Sequence, residues 1–292
     1  MIFRRNNTDN RLGRTLDIIN DEEPTLENIR SQLVTQNQFR SPLYTLWCNE
    51  MKETLRYHRK QWEFVYTLQA LESYNMLREG ARGIGFGVGI EPLPAVMAKR
   101  GCLVLATEIN IEKPNKNGWV KGSSLEDEMR DLNRRGICEP SVFRSRVSYR
   151  DVDMNQIPAD LQDFDFVWSC CSLEHVGSMK LSLEFIMNSL RCLKPGGVAV
   201  HTTEYNTSSN ILTVKNASTV FFRKRDIIEI ARTILSAGHD IRLNLHKGLG
   251  KIDKHIDFPP HSEDNHLKLF VTKKGMMLVA TSIGLIIRKK LD

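Results

Sequence analysis

The residues able to do chemistry fall into two sets. The first begins in GIGFGVGIEPLPA (83–95), where glycines occupy four alternate positions. A turn without Cβ atoms lets backbone N–H groups approach a ligand closely. Glu108, in VLATEIN, follows 19 residues after Gly89 at the end of an apolar run. A carboxylate at such a strand tip accepts two hydrogen bonds from a ribose diol. Asp153, in RDVDMNQIP, is placed to receive an amino group such as that of adenine, with Met154 packing on the ring. The dinucleotide spacing GxGxxG fails in each register, because the sixth place is Val88, Ile90 or Pro92. No GxxxxGK[ST] occurs, which excludes a nucleoside triphosphate loop.

The second set lies in SCCSLEHVG and VAVHTTEYN. Glu174 and His175 follow one strand-like run, and His201 and Glu204 close the next. A histidine with an ordinary pKa of about 6.5 is a natural base near neutrality. The segment HIDFPPHSEDNH gathers His255, Asp257, His261, Asp264 and His266, but at no zinc-ligand spacing. It reads as one wall of a pocket. The six cysteines form no CxxC pair, so neither a metal site nor a disulfide framework is expected, and the cytoplasm is the expected compartment.

These residues need a scaffold. Residues 1–22 are polar and aperiodic and read as an arm. Residues 23–79 are helical in pattern, with Leu43, Trp47, Met51, Leu55, Trp62, Val65, Leu68 and Leu71 along one apolar stripe. A helix start is expected at Pro24–Glu27. From residue 80 to 292, strand-like runs (101–109, 146–154, 163–171, 197–205) alternate with helix-like ones (181–193, 225–238). That alternation implies βαβ units and a mostly parallel sheet. SSLEDEMRDLNRRG (123–136) reads as an inserted helix, and MMLVATSIGLII (276–287) as a buried strand too short to cross a membrane.

The 292 residues are 41% hydrophobic and 26% charged, an ordinary soluble composition with material for a sizeable core. The net charge of +6 permits an anionic partner without requiring one, since the acids and bases are largely interspersed. No membrane partner is expected.

Taken in order, Gly85-Phe-Gly87-Val-Gly89, Glu108, Asp153 before IP, FDFVWSCCSLEHV and LKPGG resemble the motifs of class I S-adenosylmethionine-dependent methyltransferases. The resemblance spans residues 80–205. It implies an α/β, Rossmann-like, seven-stranded and mostly parallel sheet with flanking helices, here with an N-terminal helical extension that would lid the cofactor. It implies S-adenosylmethionine as cofactor, held by Gly85, Phe86, Gly87, Gly89, Glu108, Ile109, Asp153, Met154, Ser169 and Cys170. Methyl transfer to an O or N acceptor on a small molecule or glycan-type substrate would then involve His201, His175 or Glu204. The family's acid two places before the first of its three glycines is replaced here by Gly83, leaving Glu91 as a substitute. A nucleic-acid methyltransferase is a second reading, prompted by a pI of about 9.0. SCCSLEH, where such enzymes resemble one another in an [NDS]PP[YFW] box, argues against it. A non-catalytic cofactor-binding protein is a third.

Overall fold

The sheet is organised around a reversal of strand order. In the computed structural model, which describes residues 19–109, 131–262 and 264–291, the chain begins with short strands β1 (Ile19–Asn20) and β2 (Ser31–Gln32). Helices α1 (Pro42–Glu50) and α2 (Arg59–Ser73) follow. Then come β3 (Arg82–Phe86), α3 (Leu93–Lys99), β4 (Leu103–Glu108), α4 (Pro140–Arg146), β5 (Val147–Asp151) and β6 (Phe164–Cys170). The chain continues through α5 (Met179–Ser189), β7 (Leu193–Asn206), α6 (Lys224–Ser236), β8 (Asp240–Ile241), β9 (Leu243–Asn244) and α7 (Lys251–Lys254). It ends in the hairpin β10 (Leu269–Lys273) and β11 (Met276–Arg288).

The main sheet runs β10-β11-β7-β6-β3-β4-β5, with β8 added beside β11. β5, β4, β3, β6 and β7 are parallel, and β11 is antiparallel to both its neighbours. From β3 the chain steps outward one way to β4 and β5, then returns to the other side for β6 and β7. The carboxyl ends of β3 and β6 therefore diverge into a crevice, the usual ligand position in an open α/β sheet.

The seven expected strands with a reversed final hairpin are present, with β8 as an eighth. The N-terminal region departs from expectation. The apolar stripe is carried by two helices, broken between Met51 and His58. Ser41 caps α1 ahead of Pro42, and His58 Nδ1 accepts the Lys60 N–H to cap α2. No helix forms at Pro24–Glu27. Thr25 Oγ1 takes the Asn28 N–H, and Gln32 and Gln38 side chains bond the Thr25 and Leu33 carbonyls, locking an irregular path. Of the inserted helix expected at 123–136, residues 123–130 lie outside the described residues, as do residues 1–18 of the arm.

Each face of the sheet buries its own core. One face packs Trp47, Trp62, Leu68, Phe166 and Trp168 with α1 and α2. The other packs Phe86, Phe185, Ile227 and Ile234 with α5 and α6. Two glycines of β3 exist because of this packing. A Cβ on Gly83 would overlap the Phe166 ring, and one on Gly85 would overlap the Trp168 indole. Gly284 of β11 similarly accommodates Tyr66 of α2. Gly85→Ala is therefore expected to destabilise the fold by about 1–3 kcal/mol through overpacking. Denaturant titration checks this, and an unchanged midpoint would contradict the packing role.

Candidate active site

After β3 the turn becomes left-handed at Gly87 (φ +64°) and Gly89 (φ +50°). At Gly87 a Cβ would strike Ser172, whose hydroxyl donates to the Gly87 carbonyl at 2.9 Å. At Gly89 a Cβ would meet nothing within 4 Å, so this part of the turn faces open space. Glu108 ends β4 beside it. Its two oxygens accept the N–H groups of Gly89 and Ile109, each at 3.0 Å. A diol arriving here meets a carboxylate already oriented by backbone donors. Asp153 lies two residues beyond β5, where its carboxylate accepts the Asn155 N–H at 2.8 Å. The Met154 sulfur lies 3.6 Å from the position a Gly87 Cβ would take. Gly87, Gly89, Glu108, Ile109 and Met154 thus meet around one mouth, with Asp153 beside Met154.

Three expected cofactor contacts are placed differently. Phe86 turns its ring away, edge-on to Phe185 at 5.4 Å, so only its backbone faces the turn. Ser169 points to the same far face. Cys170 faces α2, 3.4 Å from Thr67 Oγ1, and burial pushes its thiol pKa well up. The substitute acid Glu91 is buried and accepts the Trp168 indole N–H at 2.5 Å. Burial raises its pKa well above the usual carboxylate range. Gly83 cannot carry an acid because Phe166 fills that place.

His201 does not face the crevice, which corrects the expectation that it is a base. It is fully buried between β7 and α5. Nδ1 bonds Ser169 Oγ at 2.8 Å, Nε2 bonds Ser189 Oγ at 3.3 Å, and the ring lies edge-on to Phe185. Burial lowers its pKa to about 3, so the imidazole is neutral. The cause is strand parity: Thr202 and Glu204 point to α2, whereas His201 points to the opposite face. His175 is half-exposed. Its Nδ1 bonds the Ser218 carbonyl at 2.7 Å, and its Nε2 lies 3.8 Å from Glu174 Oε1.

Glu204 sits in a buried polar cluster whose other half comes from α2. Arg59 Nη2 pairs with Glu204 Oε1 at 2.6 Å, and Arg59 Nη1 bonds Ser282 Oγ at 3.2 Å. Glu63 accepts from Ser282, from Thr202 Oγ1 at 3.2 Å and from Cys171 Sγ at 2.5 Å. Cys171 itself adopts φ +50° at the crevice edge. Glu174 Oε2 accepts the Thr203 hydroxyl at 2.9 Å, and burial raises the Glu174 pKa. Three buried atoms here have no hydrogen-bond partner: Arg59 Nε, Glu174 Oε1 and Glu204 Oε2. Ligand atoms of Cys171, Glu174 and Glu204 lie within 4.8 Å of one another, the one metal-like grouping among the described residues. Arg59 and Lys60, the latter 3.7 Å from Glu63, already place two cations in the cluster, which disfavours a dication. In the histidine-rich loop, His266 Nδ1 bonds Asp257 at 2.6 Å and its ring stacks on His58 at 4.6 Å. This arrangement ties the loop to the start of α2.

A reversed parallel sheet with a glycine turn and a carboxylate at the end of the second strand is an arrangement that suits a nucleoside-containing ligand. Residues 84–201 match the family model described as Methyltransferase domain. Over those residues the chain carries a methyltransferase domain. No curated protein matches it in sequence. Among solved structures it is similar to a magnesium protoporphyrin IX methyltransferase from Synechocystis with bound S-adenosylhomocysteine. That likeness has 11% identity, 97% of this chain and 94% of that one, and a TM-score of 0.46. A putative methyltransferase from Bacillus halodurans shares 13% identity over 76% of this chain and 98% of that one, TM-score 0.46. A phosphoethanolamine N-methyltransferase 2 from Haemonchus contortus shares 20% identity over 57% of this chain, TM-score 0.40; the chain covers only 35% of that enzyme.

Glu108→Ala is expected to weaken S-adenosylhomocysteine binding by about 1–3 kcal/mol, the cost of stranding buried hydrogen-bonding groups. Unchanged calorimetric affinity in folded protein would refute the ribose assignment. His201 also predicts a pH dependence. Its folded pKa lies below the unfolded value of about 6.5, so its contribution is intact above that pH and is lost as pH falls towards 3. The loss is about 2 kcal/mol at pH 5. His201→Gln should make stability fall less steeply between pH 6.5 and 5 in denaturant titrations; an identical slope would contradict the assignment.

Proposed function

We propose that this enzyme transfers the methyl group of S-adenosylmethionine to an oxygen or nitrogen of a small polar acceptor, including a glycan-type acceptor. The observation that carries this reading is the set of unpartnered buried atoms at the carboxyl ends of β6 and β7. Arg59 Nε offers a hydrogen-bond donor, and Glu174 Oε1 and Glu204 Oε2 offer acceptors. Buried polar groups without partners are costly, and a polar acceptor that supplied the missing bonds would offset that cost. A hydroxylated or amino-bearing molecule matches such a mixed set, whereas an apolar one does not.

S-adenosylmethionine supplies the electrophilic methyl group. The chain has three tasks: to orient the acceptor in line, exclude water and take a proton. Arg59, held by Glu204, positions the acceptor. Glu174 is the proposed proton acceptor, since burial raises its affinity for protons. α2 roofs the site, supporting the expected lid position of the N-terminal helices. Glu91 would lie beneath the methionine part of the cofactor, with its pKa raised by burial. The six cysteines are all free, which supports a reducing compartment and hence the cytoplasm. Among the described residues no helix is long and apolar enough to cross a membrane.

The test is methyl transfer from labelled cofactor to pools of small hydroxyl and amine acceptors. Glu174→Gln should bind S-adenosylhomocysteine as the parent does but lower turnover by about 10²-fold or more, the usual contribution of a positioned base. Undiminished turnover would remove Glu174 from the mechanism. Joint loss of cofactor binding would make its role structural.

A further inference from the structure

Three segments among the described residues are basic and free of acids. Residues 206–225, 245–252 and 265–281 contain nine Lys and Arg and no Asp or Glu. One of the nine, Arg223, is buried and paired with Asp226, which leaves eight bases for the surface against a whole-chain net charge of +6. These segments also carry Ile211, Leu212, Leu249 and Met277, each at least two-thirds exposed.

Contacts join the segments into one surface. The Thr207 N–H donates to the Val279 carbonyl at 2.9 Å, and Lys247 Nζ donates to the Thr207 carbonyl at 3.1 Å. Lys273 Nζ reaches Ser218 Oγ at 3.3 Å, and Arg225 Nη2 reaches the Ile211 carbonyl at 3.3 Å. The surface also has a defined position. Ala280 pairs with Asn206, the last residue of β7, so the turn before Met276 projects beyond the carboxyl edge of the sheet. The methyl-transfer crevice opens on that same edge.

We propose that this face docks onto an anionic lipid bilayer, with Met277, Ile211 and Leu212 entering the headgroup layer and the surrounding lysines facing lipid phosphates. A basic rim around exposed aliphatic side chains is the pattern of interfacial membrane binding. A single-stranded nucleic acid would instead call for aromatic side chains on which bases stack. The exposed apolar residues of these three segments are aliphatic or methionine, and the neighbouring exposed Phe258 is already stacked on Phe270 at 5.0 Å. No membrane partner was expected because no apolar run is long enough to span one. Lying on a surface needs no such run. Docking would bring the mouth of the site to the bilayer, where an amphipathic acceptor is presented.

The full chain, loaded with S-adenosylhomocysteine, is tested by flotation with vesicles of phosphatidylcholine alone or with phosphatidylglycerol added. Recruitment is expected only to the anionic vesicles, falling as salt rises. Lys273→Glu with Lys274→Glu should lower partitioning about twentyfold or more, at roughly fivefold per basic residue. Ile211→Ser with Met277→Ser should lower it at low and high salt alike. Unchanged thermal unfolding establishes that these surface variants are folded. Failure of the parent protein to float with anionic vesicles overturns the proposal. Unaltered flotation of both double variants does so too. Displacement from the vesicles by a single-stranded RNA 20-mer would reassign the face to nucleic acid and equally overturn it.

Discussion

The site depends on how closely β3 and β6 approach across the reversal point. Phe166 and Trp168 of β6 lie over the bare backbone of Gly83 and Gly85. Side chains at positions 83 and 85 would displace these two rings, and the crevice would lose its floor. The same contact fixes chemistry further out. The Trp168 indole needs a partner once buried, and Glu91 at the start of the next helix supplies it. The glycines at 83 and 85 are therefore packing glycines, whereas those at 87 and 89 shape the turn itself. Alternating spacing conceals a division of labour within one motif.

Above this floor, the acceptor side is built from opposite charges that have left water together. Arg59, Glu63 and Glu204 are almost entirely buried. Desolvating such groups is expensive, and the attraction between them offsets the expense only with good geometry. The cluster meets that condition incompletely. Glu63 is fully engaged by Ser282, Thr202 and Cys171, while Arg59, Glu174 and Glu204 each keep one unsatisfied atom. The engaged groups hold the others in place, and the unsatisfied atoms are what a substrate would complete.

Much of this was legible in the sequence. The mostly parallel sheet followed from the alternation of elements, its seven strands and reversed last strand from the resemblance to class I methyltransferases, and Glu108 could be placed because its strand ends abruptly in a polar residue. Gly87, Gly89 and Met154 stand where spacing put them. His201 was misplaced because it was read by position along the chain. Period two sends it to the face opposite Glu204, against Phe185 and two serines. No site role was assigned to Arg59 or Glu63, because charged residues on an amphipathic helix ordinarily face solvent. The available signal was that α2 has apolar or aromatic residues on more than one side, at Trp62, Phe64, Val65 and Tyr66, so a charge there must be internal. The capping role of His58 and the irregular path before α1 rest on side-chain bonds to backbone that no periodicity encodes.

The most direct measurement is a calorimetric titration of the purified protein with S-adenosylhomocysteine, with NAD as the control. The account predicts micromolar binding of S-adenosylhomocysteine and none of NAD. Absence of binding to S-adenosylhomocysteine, in protein shown to be folded, would contradict it and leave the glycine turn a structural feature.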